Sequence, residues 1–235
     1  MNGFPWARLP LARLPPSSPR RGRRSIRIRS FETSADMALS GVVLCGGRST
    51  RMGRDKALLN IEGKPLFARV AEILAEVAWP VFLAPGTPGR LGEVGYPNVA
   101  DAVPDSGPLG GVIGALRVSP HDLVAVSAVD MPFANAGVFR LLAGLAEAFD
   151  AVVPVTPEGP QPLHAVYART ALPALETVLV DGSFSMKGAL QSLHVREVHQ
   201  NEWGHADPSG RFAFNLNRPD DMAQIRSRVE PDPAG

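Results

Sequence analysis

Four cations fall within nine residues of this chain, Arg48, Arg51, Arg54 and Lys56, and they are threaded among three glycines, Gly46, Gly47 and Gly53. A short β-rich run, Val42-Val43-Leu44, leads into them. Glycine lets backbone N–H groups approach a ligand where a Cβ would collide. Guanidinium and ammonium groups supply the charge that phosphate oxygens require. These residue types in this order suit a grip on a triphosphate. Their spacing excludes the commoner grips. A P-loop needs four residues between its glycines and a lysine after the second, whereas five separate Gly47 from Gly53 and Arg54 follows. The dinucleotide fingerprint needs one residue between its first two glycines, and here Gly46 and Gly47 are adjacent. The alternative reading is an arginine-rich, solvated turn after a buried strand.

Asp130 is the second chemical signal. The apolar run Leu123–Val129 delivers it to a strand end, with Met131-Pro132 following. A carboxylate there faces the same cleft as the glycine loop and has no packing role. Its oxygens suit a hard cation such as Mg²⁺; the alternative is a helix cap near Asn135 or a turn before Pro132. Asp101 and Asp105 precede Gly107-Pro108-Leu109-Gly110-Gly111, a strand-to-helix joint that either approaches a ligand or is a plain solvated loop. Asp55 either orients Lys56 or Arg51 or is solvated. Asn215 and Asn217 stand two apart on an extended segment, so their amides share one side; turn formation before Pro219 is the competing role. His164 reads either as a ligand or as an interior histidine. Cys45, small and at a strand end, reads as packing and not as a nucleophile.

The string L-x-G-G-x-x-x-R-M-G-x-D-K, Leu44 to Lys56, resembles the signature loop of the molybdopterin nucleotidyltransferases, and most of all that of the molybdenum cofactor guanylyltransferases. Asp101 with Gly107–Gly111 looks like their D-x-x-x-x-x-G-P-L-x-G segment, and Phe214–Pro219 resembles their asparagine-pair element before the last helix. The resemblance implies transfer of GMP from GTP to the terminal phosphate of molybdopterin, with Mg²⁺ as cofactor. It implies a nucleotide site of Leu44, Cys45, Gly46, Gly47, Arg51, Lys56, Asp101 and Asp130, with Arg51, Lys56 and Asp130 catalytic and Asp130 on the metal. His164, Asn215 and Asn217 would bind the acceptor, and molybdoenzymes or cofactor chaperones would receive the product. The paired glycines Gly46-Gly47 would present N–H groups to the guanine O6. Two departures stand out. Relatives carry Gly-Glu-Arg-Ser where this chain has Gly182-Ser183-Phe184-Ser185, leaving Lys187 as a substitute cation, and some carry asparagine where Ala84 stands. Rival readings are a CTP-dependent transferase, a guanylyltransferase for another phosphorylated acceptor, and a non-catalytic nucleotide-binding or cofactor-chaperone protein.

Positioning these groups needs strand ends gathered at one edge. Strand-like runs cover Val42–Cys45, Val81–Ala84, Leu123–Ala128, Ala151–Val155, Leu163–Ala168 and Val195–His199. Between them lie helical patterns: one opened by Pro65, then Leu109–Arg117, Asn135–Phe149, Thr170–Val180, Ser185–Leu193 and Pro219–Val229. This alternation predicts an α/β fold, a doubly wound, mainly parallel sheet with helices on both faces. The resemblance makes it a Rossmann-like nucleotidyltransferase fold. Ligands in such sheets sit beyond the carboxyl ends of the strands, where the Gly46–Lys56 loop falls.

The whole chain of 235 residues carries a net charge of +1, which conceals a division. Residues 1–36 hold eight arginines against Glu32 and Asp36, leaving a body with 16 basic and 21 acidic residues, net −5. Such a body has no footprint for nucleic acid. The tail reads as a disordered or upstream-start extension before Met37; a transit-like segment and a nucleic-acid-binding arm are the alternatives. A secretory signal is not expected, since no apolar stretch of ~7–15 residues is present. Residues 37–230 are expected to form one nucleotidyltransferase domain, with a disordered 231–235. A single cysteine excludes an intramolecular disulfide or a cysteine zinc cluster. No apolar run reaches the ~18 residues of a membrane helix, and a cytoplasmic setting is expected.

Overall fold

A computed structural model of the chain describes residues 38–46, 55–92, 94–182, 184–217 and 221. At its centre lies β1 (Leu39–Leu44), with all six residues buried. A parallel strand covered on both faces must be almost wholly apolar; its one hydroxyl, Ser40, accepts from Ser119 Oγ at 2.9 Å. The described chain resumes at Asp55, which caps a one-turn 3₁₀ helix, Lys56–Leu58, by accepting from the Ala57 N–H at 3.0 Å. A small hairpin of β2 (Asn60–Ile61) and β3 (Lys64–Pro65) follows and turns through Gly63 at φ +82°. It runs into α1 (Leu66–Ala75), with Pro65 just ahead of the first turn. Leu66, Val70 and Leu74 recur at helical spacing on its buried face.

The remaining elements are β4 (Val81–Ala84), α2 (Gly107–Val118), β5 (Leu123–Ala128), α3 (Ala136–Gly144), β6 (Ala151–Thr156) and β7 (Gly159–Pro160). After them come β8 (His164–Ala168), α4 (Leu172–Val180), α5 (Met186–Leu190), β9 (Val195–Val198) and α6 (Gln200–Trp203). One seven-stranded sheet runs β4-β1-β5-β8-β6-β7, with β9 also on β6. The pairs β1/β4, β1/β5 and β6/β9 are parallel. Strand β8 opposes both β5 and β6. The segment between β6 and β8 is too short for a crossover helix, so the chain turns back as a hairpin would.

Alternation along β1 divides the interior into two layers. Val43 faces one layer with Leu66, Leu74, Phe139 and Trp203, while Val42 and Leu44 face the other with Leu109, Ile113 and Leu175. The expected α/β architecture, helices on both faces of a mainly parallel sheet, is what the chain forms, and antiparallel β8 makes the sheet mixed.

Some elements differ from expectation in detail. The helix expected over Asn135–Phe149 runs only from Ala136 to Gly144. Asn135 is its N-cap, accepting from the Val138 N–H at 3.1 Å, and beyond Gly144 the backbone turns, with Ala148 at φ +68°. The element expected over Ser185–Leu193 is helical only from Met186 to Leu190. Helix α6 was not expected; its buried Trp203 donates Nε1–H to the Val155 carbonyl at 3.0 Å. Apart from Asp221, the expected helix over Pro219–Val229 lies outside the described residues, as does the basic tail 1–36. Among the described residues no helix is long and apolar enough to cross a membrane.

Candidate active site

Strands β1, β4 and β5 finish in register, with Leu44 beside both Ala84 and Ala128. Beyond these three ends opens a cleft of about 970 Å³. Leu44, Cys45, Gly46, Lys56, Asp101, Asp130 and Asn217, all expected from sequence, line it. Its size suits a nucleotide-sized ligand. Gly47, Arg48, Arg51, Gly53 and Arg54 lie outside the described residues.

One wall carries the charge pair. Lys56 Nζ stands 3.3 Å from Asp130 Oδ2 and donates to Asn217 Oδ1 at 3.2 Å. The 3₁₀ turn presents Lys56 and the end of β5 presents Asp130. The Val129 N–H donates to the Leu44 carbonyl, and the Asp130 carbonyl accepts from the Leu216 N–H at 2.8 Å, which draws the 214–217 segment to the cleft. The side chains of Lys56 and Asp130 are 17% and 25% exposed, so the pair is partly withdrawn from water yet open to a ligand.

Asp130 also bears on a metal. No group of three or more metal-ligating side chains occurs among the described residues. A site that relies on one carboxylate is the kind Mg²⁺ uses when phosphate oxygens and water complete its shell. Asp130, a partly exposed carboxylate that lines the cleft, fits that donor set.

The opposite wall is acidic. Asp101 and Asp105 line the cleft beside Gly107 and Pro108 at the start of α2. Burial, and then the neighbouring Asp105, raises the pKa of Asp101. The glycines here keep the packing close. A Cβ on Gly111 would stand 2.8 Å from Leu44 Cδ2 and 3.1 Å from Ala84 Cβ, so α2 approaches the ends of β1 and β4 tightly. Gly86, at φ +77°, passes the loop start closely: a Cβ there would lie 3.3 Å from Gly46 Cα.

Several expectations are corrected. His164 is fully buried and stacks on Phe139 with ring centroids 3.9 Å apart. Its Nε2 accepts from the Asn135 N–H at 3.1 Å, and burial pushes its pKa down to about 3. It is a core histidine and reaches no acceptor. Asn215 and Asn217 do not act as a pair: the Asn215 amide donates to the Ala213 carbonyl at 2.9 Å, and only Asn217 lines the cleft. The Gly46 N–H is not presented to a base, because it donates to the Ala84 carbonyl at 3.1 Å, as does that of Cys45 at 2.9 Å. Cys45 itself is 2% exposed and burial pushes its thiol up to about 12, so it packs as expected. Lys187 is exposed on α5 and does not line the cleft.

The Asp55 carboxylate pairs with Arg90, which sequence reasoning missed, while Arg51, its other expected partner, lies outside the described residues. Arg90 Nε donates to Asp55 Oδ2 at 2.7 Å, and its Nη2 also reaches Asp55 Oδ1. Its Nη1 donates to the carbonyls of Cys45 and Pro85, each at 2.7 Å. Nothing in the turn-rich Pro85–Arg90 stretch signals this role, because the partners lie 35 and 45 positions away.

A cleft at the strand ends with Lys56 facing Asp130, on a Rossmann-like mixed sheet, is the arrangement a nucleotidyltransferase needs. The model of the MobA-like NTP transferase domain matches residues 41–198, and the chain belongs to that family. It is 34% identical over 209 residues to a probable molybdenum cofactor guanylyltransferase of Chloroflexus aggregans, covering 81% of this chain and 95% of that protein. It is 32% identical to a molybdenum cofactor guanylyltransferase of Syntrophotalea carbinolica, over 80% of this chain and 90% of the other. Among solved structures, molybdopterin-guanine dinucleotide biosynthesis protein A from Archaeoglobus fulgidus superposes with a TM-score of 0.72 at 26% identity, covering 80% of this chain and 97% of that one. A cytidylyltransferase for 2-C-methyl-D-erythritol 4-phosphate from Thermus thermophilus, with a TM-score of 0.60 and 18% identity over 80% and 96% of the two chains, shares the fold.

Proposed function

We propose that this nucleotidyltransferase moves GMP from GTP to the terminal phosphate of molybdopterin. An anionic oxygen of that phosphate attacks the α-phosphorus of GTP, the bond to the β-phosphate oxygen breaks, and pyrophosphate leaves. The attacking group is already charged, so no Ser, Cys or His nucleophile is required, and positioning with charge neutralisation supplies the rate. Lys56 would hold the triphosphate and the charge on the departing pyrophosphate, with Arg51 as its partner from the glycine loop. Asp101 and the start of α2 would receive the sugar and base. Asn217 would steer the acceptor side of Lys56. Asp130 would hold Mg²⁺, which when bound would neutralise phosphate oxygens.

The observation that carries this reading is the meeting of Lys56, Asp130 and Asn217 at the strand ends, in a chain whose relatives bear guanylyltransferase names. Base selectivity does not rest on Gly46, whose N–H is already engaged. The test is a panel of GTP, CTP and ATP with Mg²⁺, with and without molybdopterin, read by pyrophosphate release. GTP with molybdopterin should exceed every other combination by at least ~10²-fold in kcat/KM, the ratio that two lost hydrogen bonds of ~1.5 kcal/mol each produce. Preference for CTP would make it a cytidylyltransferase. Binding without release in any combination would favour a carrier of nucleotide or cofactor, a reading that the Gly182–Ser185 departure motivates.

A further inference from the structure

We infer that Arg90 is a positioning residue that ties both ends of the glycine–arginine loop to the end of β4, and thereby sets where Lys56 stands. The inference deepens the nucleotidyl-transfer reading above and rests on it for its effect on turnover.

Donor arithmetic separates positioning from direct binding. A guanidinium has five N–H donors in a rigid fork. Arg90 commits four: two to the Asp55 carboxylate, one to the Cys45 carbonyl and one to the Pro85 carbonyl. One N–H remains, too few for the forked grip that arginine makes on phosphate. Its charge is met by Asp55, and the two side chains are only 20% and 23% exposed. Arg90 lines the cleft, yet its chemistry is directed at the protein.

The partners are what give this arrangement a consequence. Cys45 is the first residue after β1 and precedes Gly46, and Asp55 follows Arg54, so the two flank the glycine–arginine stretch. Pro85 directly follows β4. One side chain therefore holds two backbone carbonyls and one carboxylate around the cleft. Asp55 caps the turn that carries Lys56, and Lys56 reaches Asp130 from there. Displacement of a catalytic group by about 1 Å costs on the order of 10²-fold. Lysine cannot replace this arginine, since three donors on one nitrogen cannot span a carboxylate and two carbonyls.

The experiment compares Arg90→Lys, Arg90→Ala, Asp55→Asn and the double variant Arg90→Lys/Asp55→Asn in the full chain, by turnover, thermal midpoint and amide hydrogen exchange. Arg90→Lys and Arg90→Ala should both lower kcat by ~10–10²-fold, without rescue by the retained charge. The double variant should lose no more than the worse single one, because the two residues act through each other. In Arg90→Ala, exchange should rise together in the peptides over Cys45–Gly46 and Ala57–Leu59, while the strand interiors of β5 and β6 keep their protection. Near-normal turnover in Arg90→Lys, effects that multiply in the double variant, or faster exchange at only one of the two peptides would overturn the inference. So would a loss of protection spread through the whole sheet. If the unaltered chain does not turn over GTP with molybdopterin, that failure counts against the guanylyl-transfer reading alone, and the exchange measurement decides the role of Arg90.

Discussion

Lys56 and Asp130 lie 74 positions apart in sequence, yet they meet at 3.3 Å in the cleft. Without a nucleotide each is the other's counter-ion. In the proposed reaction a triphosphate would offer Lys56 a stronger anion and leave the Asp130 carboxylate for a metal, so one substitution tests the role of Asp130. Asp130→Asn keeps the shape and removes the charge. Nucleotidyl transfer should fall by at least ~10²-fold, as when one preorganised electrostatic contributor is lost elsewhere. The thermal midpoint should hardly move; near-normal Mg²⁺-dependent activity would reduce Asp130 to a turn residue. His164 gives the second test at this scale. Burial holds its folded pKa at about 3, below the ordinary 6.5. As pH falls the unfolded chain takes up the proton first, so the stability this residue contributes is complete above about 6.5 and is lost toward about 3. His164→Gln still offers an acceptor to the Asn135 N–H but does not titrate. Urea unfolding should show a shallower loss of stability between pH 6.5 and 4 in the variant, by up to ~1.4 kcal/mol per pH unit. Equal slopes in both proteins would contradict a buried neutral imidazole. Lys56, Asp101 and Asp130 were legible because each belongs to a local string or ends an apolar run. His164 was open to two readings because the face that a β8 residue turns inward depends on its partners, which the sequence does not display.

At the scale of elements, the cleft depends on how closely α2 approaches the strand ends. A Cβ on Gly114 would run into the Ala100 carbonyl, next to Asp101, and would sit 3.3 Å from Val99 Cγ2. At Gly144, near the end of α3, a Cβ would meet nothing within 4 Å. The same substitution therefore has opposite signs at the two sites. Gly144→Ala should be neutral or slightly stabilising, since alanine is the better helix former by ~1 kcal/mol. Gly114→Ala should lose about 1–3 kcal/mol in urea unfolding from overpacking against backbone. A like effect at both positions would show that α2 has room to shift. The main strands were legible from their apolar runs, and β4 and β5 match their expected limits. The reversed direction of β8 was not, because it follows from the short return after β6 rather than from any residue within the strand. Helix α6 escaped notice because four residues are too few to show a period.

Across the whole molecule the two edges of the sheet serve different ends. At the edge away from the cleft, Arg169 closes the start of β5, pairing with Asp122 and donating to the carbonyls of Leu116, Ser119 and His121. At the carboxyl edge Arg90 fixes the chain in a similar way but leaves open a cleft of about 970 Å³ lined by Lys56, Asp130, Asp101 and Asp105. The mainly apolar strands build a scaffold in two layers, and almost every charged group placed on it for chemistry stands at one edge. The central claim is transfer of the α-phosphoryl nucleotide unit to a phosphorylated pterin. Its most direct test follows GTP labelled at the α-phosphorus, incubated with the protein, Mg²⁺ and molybdopterin. The label should appear in a molybdopterin–guanine dinucleotide, with one pyrophosphate released for each product formed and none without molybdopterin. Label that stays in free GDP or GMP, or pyrophosphate release that ignores molybdopterin, would contradict the account.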